Sequence, residues 1–549
     1  MVRSAFTLAL LLASTSASAV APDFKTKADK ILANAYAATG PGAAVIVTEN
    51  GKTIYAAGRG LADVERKTPI TPATVFRLGS ITKQFTAAAI LRLAEQGKLS
   101  LDDPLSKFLP AFPAPGASAT VRQLLNHTSG VMPYTNIPGF TIEANANKPY
   151  TTEQLVAVFK DVPSPSKPGE KWEYNNSGYV LLGAILEKVT GKPWDQAVGN
   201  LVTAPLKLAT IRTGIGADGT PGMAIGYTDK DGKVAIAQKI HMSVSHAAGA
   251  LVGTVGDLAD WGNALHNGKV VSPASYTAMS GTTTTADGKT APYGFGIETG
   301  DVRGRRELGH SGGIFGFSAD SIYLPKEKIF VAVFANSDSP KADTGTVTRR
   351  LAALALDDPY PTLAKIATNL KAIEPTLGVY AFDDTQRTFF ARGDKLYTQR
   401  AGGGEIEVFS AGNNKFFYGP DDLTWFEVLP GTKAIRIAFH PQGNPVPVMS
   451  TRTGPPPAVT AATAIPSATL DSYTGSYTSA AGIFLFKHEG DGLTVKLGPQ
   501  PALPMKAVSA TEFEITQVGA KIRFNSKDGK VSTITLFQGG QELEGVRKD

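Results

Sequence analysis

Apolar and polar positions follow two different periods along this chain, and the change of period divides it. Near the start, "AAVIVTENGKTIYAAGRG" (43–60) reads as two strands joined at Asn50-Gly51, the dipeptide a tight hairpin prefers. The stretch "SITKQFTAAAILRLAEQGKL" (80–99) predicts a helix. Phe85, Ala88, Ala89 and Leu93 recur at helical spacing, Ser80 suits the N-terminus and Gly97 the stop. "SGYVLLGAILEKVTGK" (177–192) predicts a second helix closed by Gly191. "FSADSIYL" (317–324) and "KIFVAVFANS" (328–337) read as strands. Strands at both ends and helices between them predict an α+β domain over 20–358, its antiparallel sheet completed by both ends of the segment.

After "LDDPYP" (356–361) the pattern becomes short strands and turns, and it repeats at an offset of 97 residues. Tyr380 matches Tyr477, Gly393-Asp394 matches Gly490-Asp491, and Leu396 matches Leu493. Phe416 matches Phe513, Ile437 matches Ile534, and Gly443 matches Gly540. A Pro/Ala/Thr-rich linker, "GPPPAVTAATAIPS" (454–467), separates the copies. The expectation is two related modules, 362–453 and 466–549, each a small antiparallel all-β barrel. Two copies do not make a solenoid.

Composition narrows the setting. With 549 residues, 42% apolar and 19% charged, the chain can bury a large core. Its net charge of +6 is mild for this length. No run of five to eight Lys/Arg residues occurs, so nucleic acid is not an expected partner. Arg3, the apolar run 5–13 and Ala17-Ser18-Ala19 fit a secretory signal peptide over 1–19, cleaved near Ala19. No later run has the length of a membrane span, and there is no cysteine for a disulfide, a thiolate site or a lipid anchor. A periplasmic or secreted protein is expected.

Ser80-Ile81-Thr82-Lys83 is the sharpest chemical signal. A serine hydroxyl needs an activating base, and residues three apart share a helix face, so the Lys83 amine can sit beside it. A helix N-terminus there would favour a developing oxyanion. Tyr174-Asn175-Asn176 offers a phenol that a neighbouring lysine could help ionise, and an amide able to bond lysine and substrate together. His310-Ser311-Gly312-Gly313 places glycines where a substrate could lie along a strand edge. His241 and His246 lack the spacing of a zinc site, and His127 in "LLNHTSG" lacks a partner pattern, so a structural role is expected for it. No phosphate loop or dinucleotide fingerprint occurs; neither a metal nor a cofactor is expected.

Ser80-x-x-Lys83, Tyr174-x-Asn176 and His310-x-Gly312, in this order, resemble the penicillin-recognising serine hydrolases. The likeness is closest to the branch of class C β-lactamases, D-alanyl-D-alanine carboxypeptidases, D-aminopeptidases and related esterases. It extends over about 25–350 and includes "TPATVFRLGSITKQFTAAAILRLAEQGKLSLDDPLSKFLP" (71–110), "LLNHTSG" (124–130) and "YGFGIE" (293–298). The resemblance implies a β-lactamase/transpeptidase-like fold with Ser80 as nucleophile, Lys83 as its activating partner and Tyr174 as general base and acid. It implies substrate contacts from Asn176, His310, Ser311 and Gly312, and an oxyanion hole from the Ser80 and Gly313 amides. Histidine at 310 replaces the lysine common in β-lactamases and points towards D-peptidases. The expected function is acyl-enzyme hydrolysis of a small peptide or amide, with a bond beside a D-residue as its narrower form. A carboxylesterase, a β-lactamase and a non-catalytic binding protein are the alternatives, and a homo-oligomer is possible on this fold. "GHSGG" (309–313) also fits the G-x-S-x-G nucleophile elbow, but the sequence after Ser311 is strand-like, whereas an elbow serine precedes a helix.

Overall fold

The computed structural model describes residues 23–548 apart from 138, 142, 231, 340–342, 383–384, 402, 432–433, 457–464, 480, 499–501, 528 and 539–540. The expected signal peptide, 1–19, lies outside the described residues. Two strands, β1 (Ala43–Glu49) and β2 (Lys52–Arg59), follow the first helix, α1 (Phe24–Ala35), and turn at Asn50-Gly51, where both φ angles are positive. Four strands come from the far end of the domain: β3 (Glu298–Val302), β4 (Arg305–Ile314), β5 (Phe317–Leu324) and β6 (Ile329–Ala335). They form one antiparallel sheet in the order β3-β4-β5-β6-β1-β2. The two ends of the domain meet where β1 pairs with β6, with Ala43 opposite Ala335.

Strand β6 is apolar throughout, and β1 from Ala43 to Val47, because both faces are covered. Ala44, Ile46, Phe330, Ala332 and Phe334 face the main core, which is filled by α2 (Thr82–Glu95), α3 (Asn176–Thr190), α4 (Met242–Gly249) and α5 (Val255–His266). Val45, Val47, Val331 and Val333 face α1 and α6 (Thr344–Ala355). The predicted helix at 177–192 is α3; Asn175 caps it by accepting from the Gly178 amide, and Gly191 ends it in the left-handed region at φ 67°. The predicted helix at 80–99 begins later than expected. Ser80 lies in a single 3-10 turn, Gly79–Ile81, and α2 proper starts at Thr82 without a side-chain cap.

Each C-terminal module is a closed eight-stranded antiparallel barrel, one over 378–454 and one over 475–547. Closure removes the free sheet edges. The repeat positions coincide in structure. Tyr380 and Tyr477 are fully buried, Leu396 and Leu493 lie in the third strand of each barrel, and Gly393 and Gly490 both turn at positive φ. The first barrel docks on the β3–β4 turn. Arg303 bonds the Asp358 carboxylate at 2.8 Å and the Gly443 carbonyl at 2.7 Å, and barrel residue Leu423 joins the core beside Tyr360. The second barrel meets the first where the Glu405 amide donates to the Thr516 carbonyl at 3.0 Å.

Arg303→Ala removes both tethers of this largely buried guanidinium. The expected result is a loss of about 2 kcal/mol in denaturant unfolding and faster proteolytic cleavage near 358–362. Unchanged cleavage would mean that the barrel is held by apolar contacts alone.

Candidate active site

Backbone packing places Ser80. Strand β4 runs so close to the Gly79–Ile81 turn that a side chain on either facing glycine would collide. A Cβ on Gly312 would sit 2.1 Å from the Leu78 carbonyl oxygen, and one on Gly79, where φ is 53°, would sit 2.9 Å from the Gly313 nitrogen. The Ser80 and Gly313 amides therefore flank one narrow contact between the turn and the strand. Ser80 and Gly313 also line a cavity of about 520 Å³, with Asn176, Tyr134, Ser245, Ile314, Phe315 and Asp338 on its walls.

Lys83 is the second residue of α2, one turn after Ser80, and is fully buried. Its Nζ is 3.0 Å from Ser80 Oγ, 2.8 Å from Asn176 Oδ1 and 2.8 Å from the Ala248 carbonyl. It also lies 4.7 Å from the centre of the Tyr174 ring. Burial drives the Lys83 pKa well below the ordinary lysine value, with only Glu298 opposing. A neutral amine has two N–H bonds and one lone pair. In that neutral form the two carbonyl oxygens, which can only accept, take the N–H bonds, and the lone pair faces the Ser80 hydroxyl. Tyr174 behaves differently from the expectation of an easily ionised phenol. Burial raises its pKa above the ordinary tyrosine value, opposed by a hydrogen bond to Ser80.

His310 and Ser311 are less directly placed. His310 is 2% exposed, its Nε2 is 2.9 Å from the Tyr293 hydroxyl and its Nδ1 is 2.5 Å from the Ser311 carbonyl. A carbonyl only accepts, so Nδ1 carries the proton and Nε2 accepts from Tyr293. Burial, helped by Lys83, lowers the His310 pKa to about 3, and the ring is neutral near pH 7. Both ring nitrogens are thus engaged within the protein. Ser311 is exposed within β4, opposite Asp320 of β5, and strand rather than helix follows it, so the elbow geometry is absent.

Among the groups that hold these residues, sequence reasoning gave His127 a structural role and passed over the rest. His127, at positive φ, accepts the Asn175 amide at 3.0 Å and packs its ring against Tyr174 and Tyr293 at 4.5 and 4.6 Å. Tyr293 and Glu298 bracket the "YGFGIE" stretch, whose two polar ends are the available signal for them. The kinked turn at His246 that leads to the Ala248 carbonyl has no such signal. His246 itself bonds Thr152, and no group of potential metal ligands occurs among the described residues. The segments 131–150 and 212–240, two of three that the sequence suggests as rim loops, reach the cavity through Tyr134, Thr135, Thr141, Ala146 and Ile240. The 280–292 segment instead forms a small hairpin, and no described barrel residue lines the cavity.

The beta-lactamase family profile matches residues 28–356, and the chain belongs to that family of serine hydrolases, which also holds penicillin-binding proteins. Penicillin-binding protein 4* of Bacillus subtilis is 26% identical over 68% of this chain and 87% of its own length. Among solved structures, the octameric penicillin-binding protein homologue of Pyrococcus abyssi superposes with a TM-score of 0.56 at 26% identity, covering 78% of this chain and 99% of its own. A D-stereospecific amidohydrolase from Streptomyces gives 0.51 at 28% identity, covering 62% and 99%.

Gly312→Ala forces β4 away from the Ser80 turn, and turnover of any substrate is expected to fall by about 100-fold or more through loss of oxyanion geometry. Wild-type rates in a folded Gly312→Ala protein would disprove the close approach. Glu298 supplies a pH signature. Burial, reinforced by Asp320, raises its pKa from 4.5 to about 7. The folded chain thus keeps a proton that the unfolded chain releases, which stabilises it fully at low pH and is lost as pH rises through 7. Glu298→Gln stays neutral, so its Tm relative to wild type should rise between about pH 5 and about pH 8. A pH-independent difference would place the ionisation elsewhere.

Proposed function

We propose that the protein is an exported serine hydrolase that cleaves amide or peptide bonds beside a D-residue bearing a free amino group. The carrying observation is the buried Lys83 amine, 3.0 Å from Ser80 Oγ and 2.8 Å from each of two carbonyl oxygens, with its pKa lowered by burial. Lys83 takes the serine proton as Oγ attacks the substrate carbonyl carbon, and Lys83 rather than Tyr174 is the resting base. The Ser80 and Gly313 amides hold the oxyanion. Tyr174, protonated because it is buried, donates to the leaving nitrogen as the C–N bond breaks, and the proton held by Lys83 then returns to the Tyr174 oxygen. Water then attacks the acyl ester and releases the acid. Asn176 orients the lysine and faces the substrate.

The charge of the cavity supports the substrate class. Among the described lining residues Asp338 is the one charged side chain, and His310 is neutral. A substrate carboxylate, as on a carboxypeptidase substrate or a β-lactam, meets no cation there, whereas an amine meets an anion. The likeness to a D-stereospecific amidohydrolase points the same way. The apolar walls, Ile240, Val244, Ile314 and Phe315, favour a carboxylesterase as the second reading. The octameric relative is consistent with a homo-oligomer.

Chromophore release from D-alanyl p-nitroanilide, L-alanyl p-nitroanilide and p-nitrophenyl acetate tests this. The D-anilide should be preferred, Ser80→Ala should lose about 10⁴-fold, and Ser311→Ala should stay within about threefold of wild type. Ester turnover alone would select the esterase reading, and activity surviving Ser80→Ala would overturn the nucleophile.

A further inference from the structure

A second cavity, of about 480 Å³, lies beside the catalytic one, and Phe315 lines both. Arg77, three residues before Ser80, is among its lining residues. The Arg77 side chain is 7% exposed, and its guanidinium carbon lies 5.5 Å from the centre of the Phe317 ring. One nitrogen, Nη2, takes both oxygens of Asp218, at 2.9 and 2.7 Å. The Nε is buried and has no hydrogen-bond partner. The Nε–Nη2 edge, the fork that matches a carboxylate, is therefore only half used.

Asp218 is an exchangeable partner. Its side chain is 66% exposed and sits on a loop with Gly216, Gly219 and Gly222 at positive φ, each with open space where a Cβ would project. Two further cations, Arg66 and Lys239, line the same cavity and are exposed. Its acids are Asp63, 3.7 Å from Arg66, and Asp218, so cations outnumber acids by three to two. Met223, Ile225, Phe315 and Phe317 supply an apolar wall. The catalytic cavity has the opposite character, with Asp338 its one charged lining residue among those described.

We propose that this second cavity binds an organic carboxylate with an apolar body, its carboxylate taking the Nε–Nη2 edge of Arg77 in place of Asp218. The apolar body packs between Phe315 and Met223, and Arg66 and Lys239 attract the anion at the mouth. The proposal stands on the cavity and its buried arginine and does not require the catalytic reading.

Isothermal titration of the full chain with hippurate, and with its neutral amide as control, tests the site. Hippurate should bind about tenfold more tightly than the amide, since a charge-assisted fork is lost in the latter. Asp218→Asn removes the internal competitor at an exposed position and should tighten hippurate binding by about fivefold or more. Arg77→Gln, if folded, should lose it. Ser80→Ala should bind as wild type does. A purely structural Arg77–Asp218 pair gives the opposite sign: Asp218→Asn then lowers Tm and does not improve binding. That result, equal binding of the amide, or loss of binding in Ser80→Ala, which would place hippurate in the catalytic cavity, overturns the proposal.

Discussion

Burial of one amine organises the catalytic half of this molecule. Lys83 is enclosed by α2, α3 and the carbonyl end of α4, and each contributes one polar partner, Ser80 from the turn before α2, Asn176 from α3 and Ala248 from α4. An unpaired polar group in that position would be costly, so these elements are constrained to meet at hydrogen-bond distance. The same burial that fixes their positions lowers the pKa of the amine. Architecture and reactivity thus share one cause, and neither can be changed alone.

Around the lysine, ionisable groups are made neutral by their surroundings. His310 and His127 lose their charge by burial, and Tyr174 and Tyr293 keep their protons for the same reason. Their rings pack edge to face and tilted on one another, which holds Tyr174 beside Ser80 without strong ion pairs. The resulting site has little fixed charge of its own, so the charges that remain, Asp338 at the catalytic cavity and the arginine cluster beyond Phe315, stand out against a neutral background.

Much of this was legible in the sequence because it is local. Ser80 and Lys83 share a helix face by spacing, the Asn50-Gly51 turn and the Gly191 stop follow from backbone preference, and the barrels announce themselves through the 97-residue repeat. What the sequence hid depends on distant packing. The shift of Ser80 into a 3-10 turn follows from β4 crossing at Gly312, more than 200 residues away. Burial, which spacing does not report, lowers the Lys83 pKa and raises that of Tyr174. His310 has a chemical side chain in a suggestive motif, yet its two nitrogens face Tyr293 and a backbone carbonyl.

The sheet order also sets a timetable. The β1–β6 pairing and the Gly42–Asn336 hydrogen bond join groups up to 294 residues apart. The barrels pair strand to neighbouring strand and need one longer contact each to close. Long-range pairing is slow because loop entropy is lost before contacts compensate it. A chain emerging from its N-terminus must therefore keep the apolar β1–β2 hairpin without its partner strand until residue 335 has appeared, while each barrel can collapse as soon as it is complete. The last-made parts fold most locally, and the first-made strands wait longest.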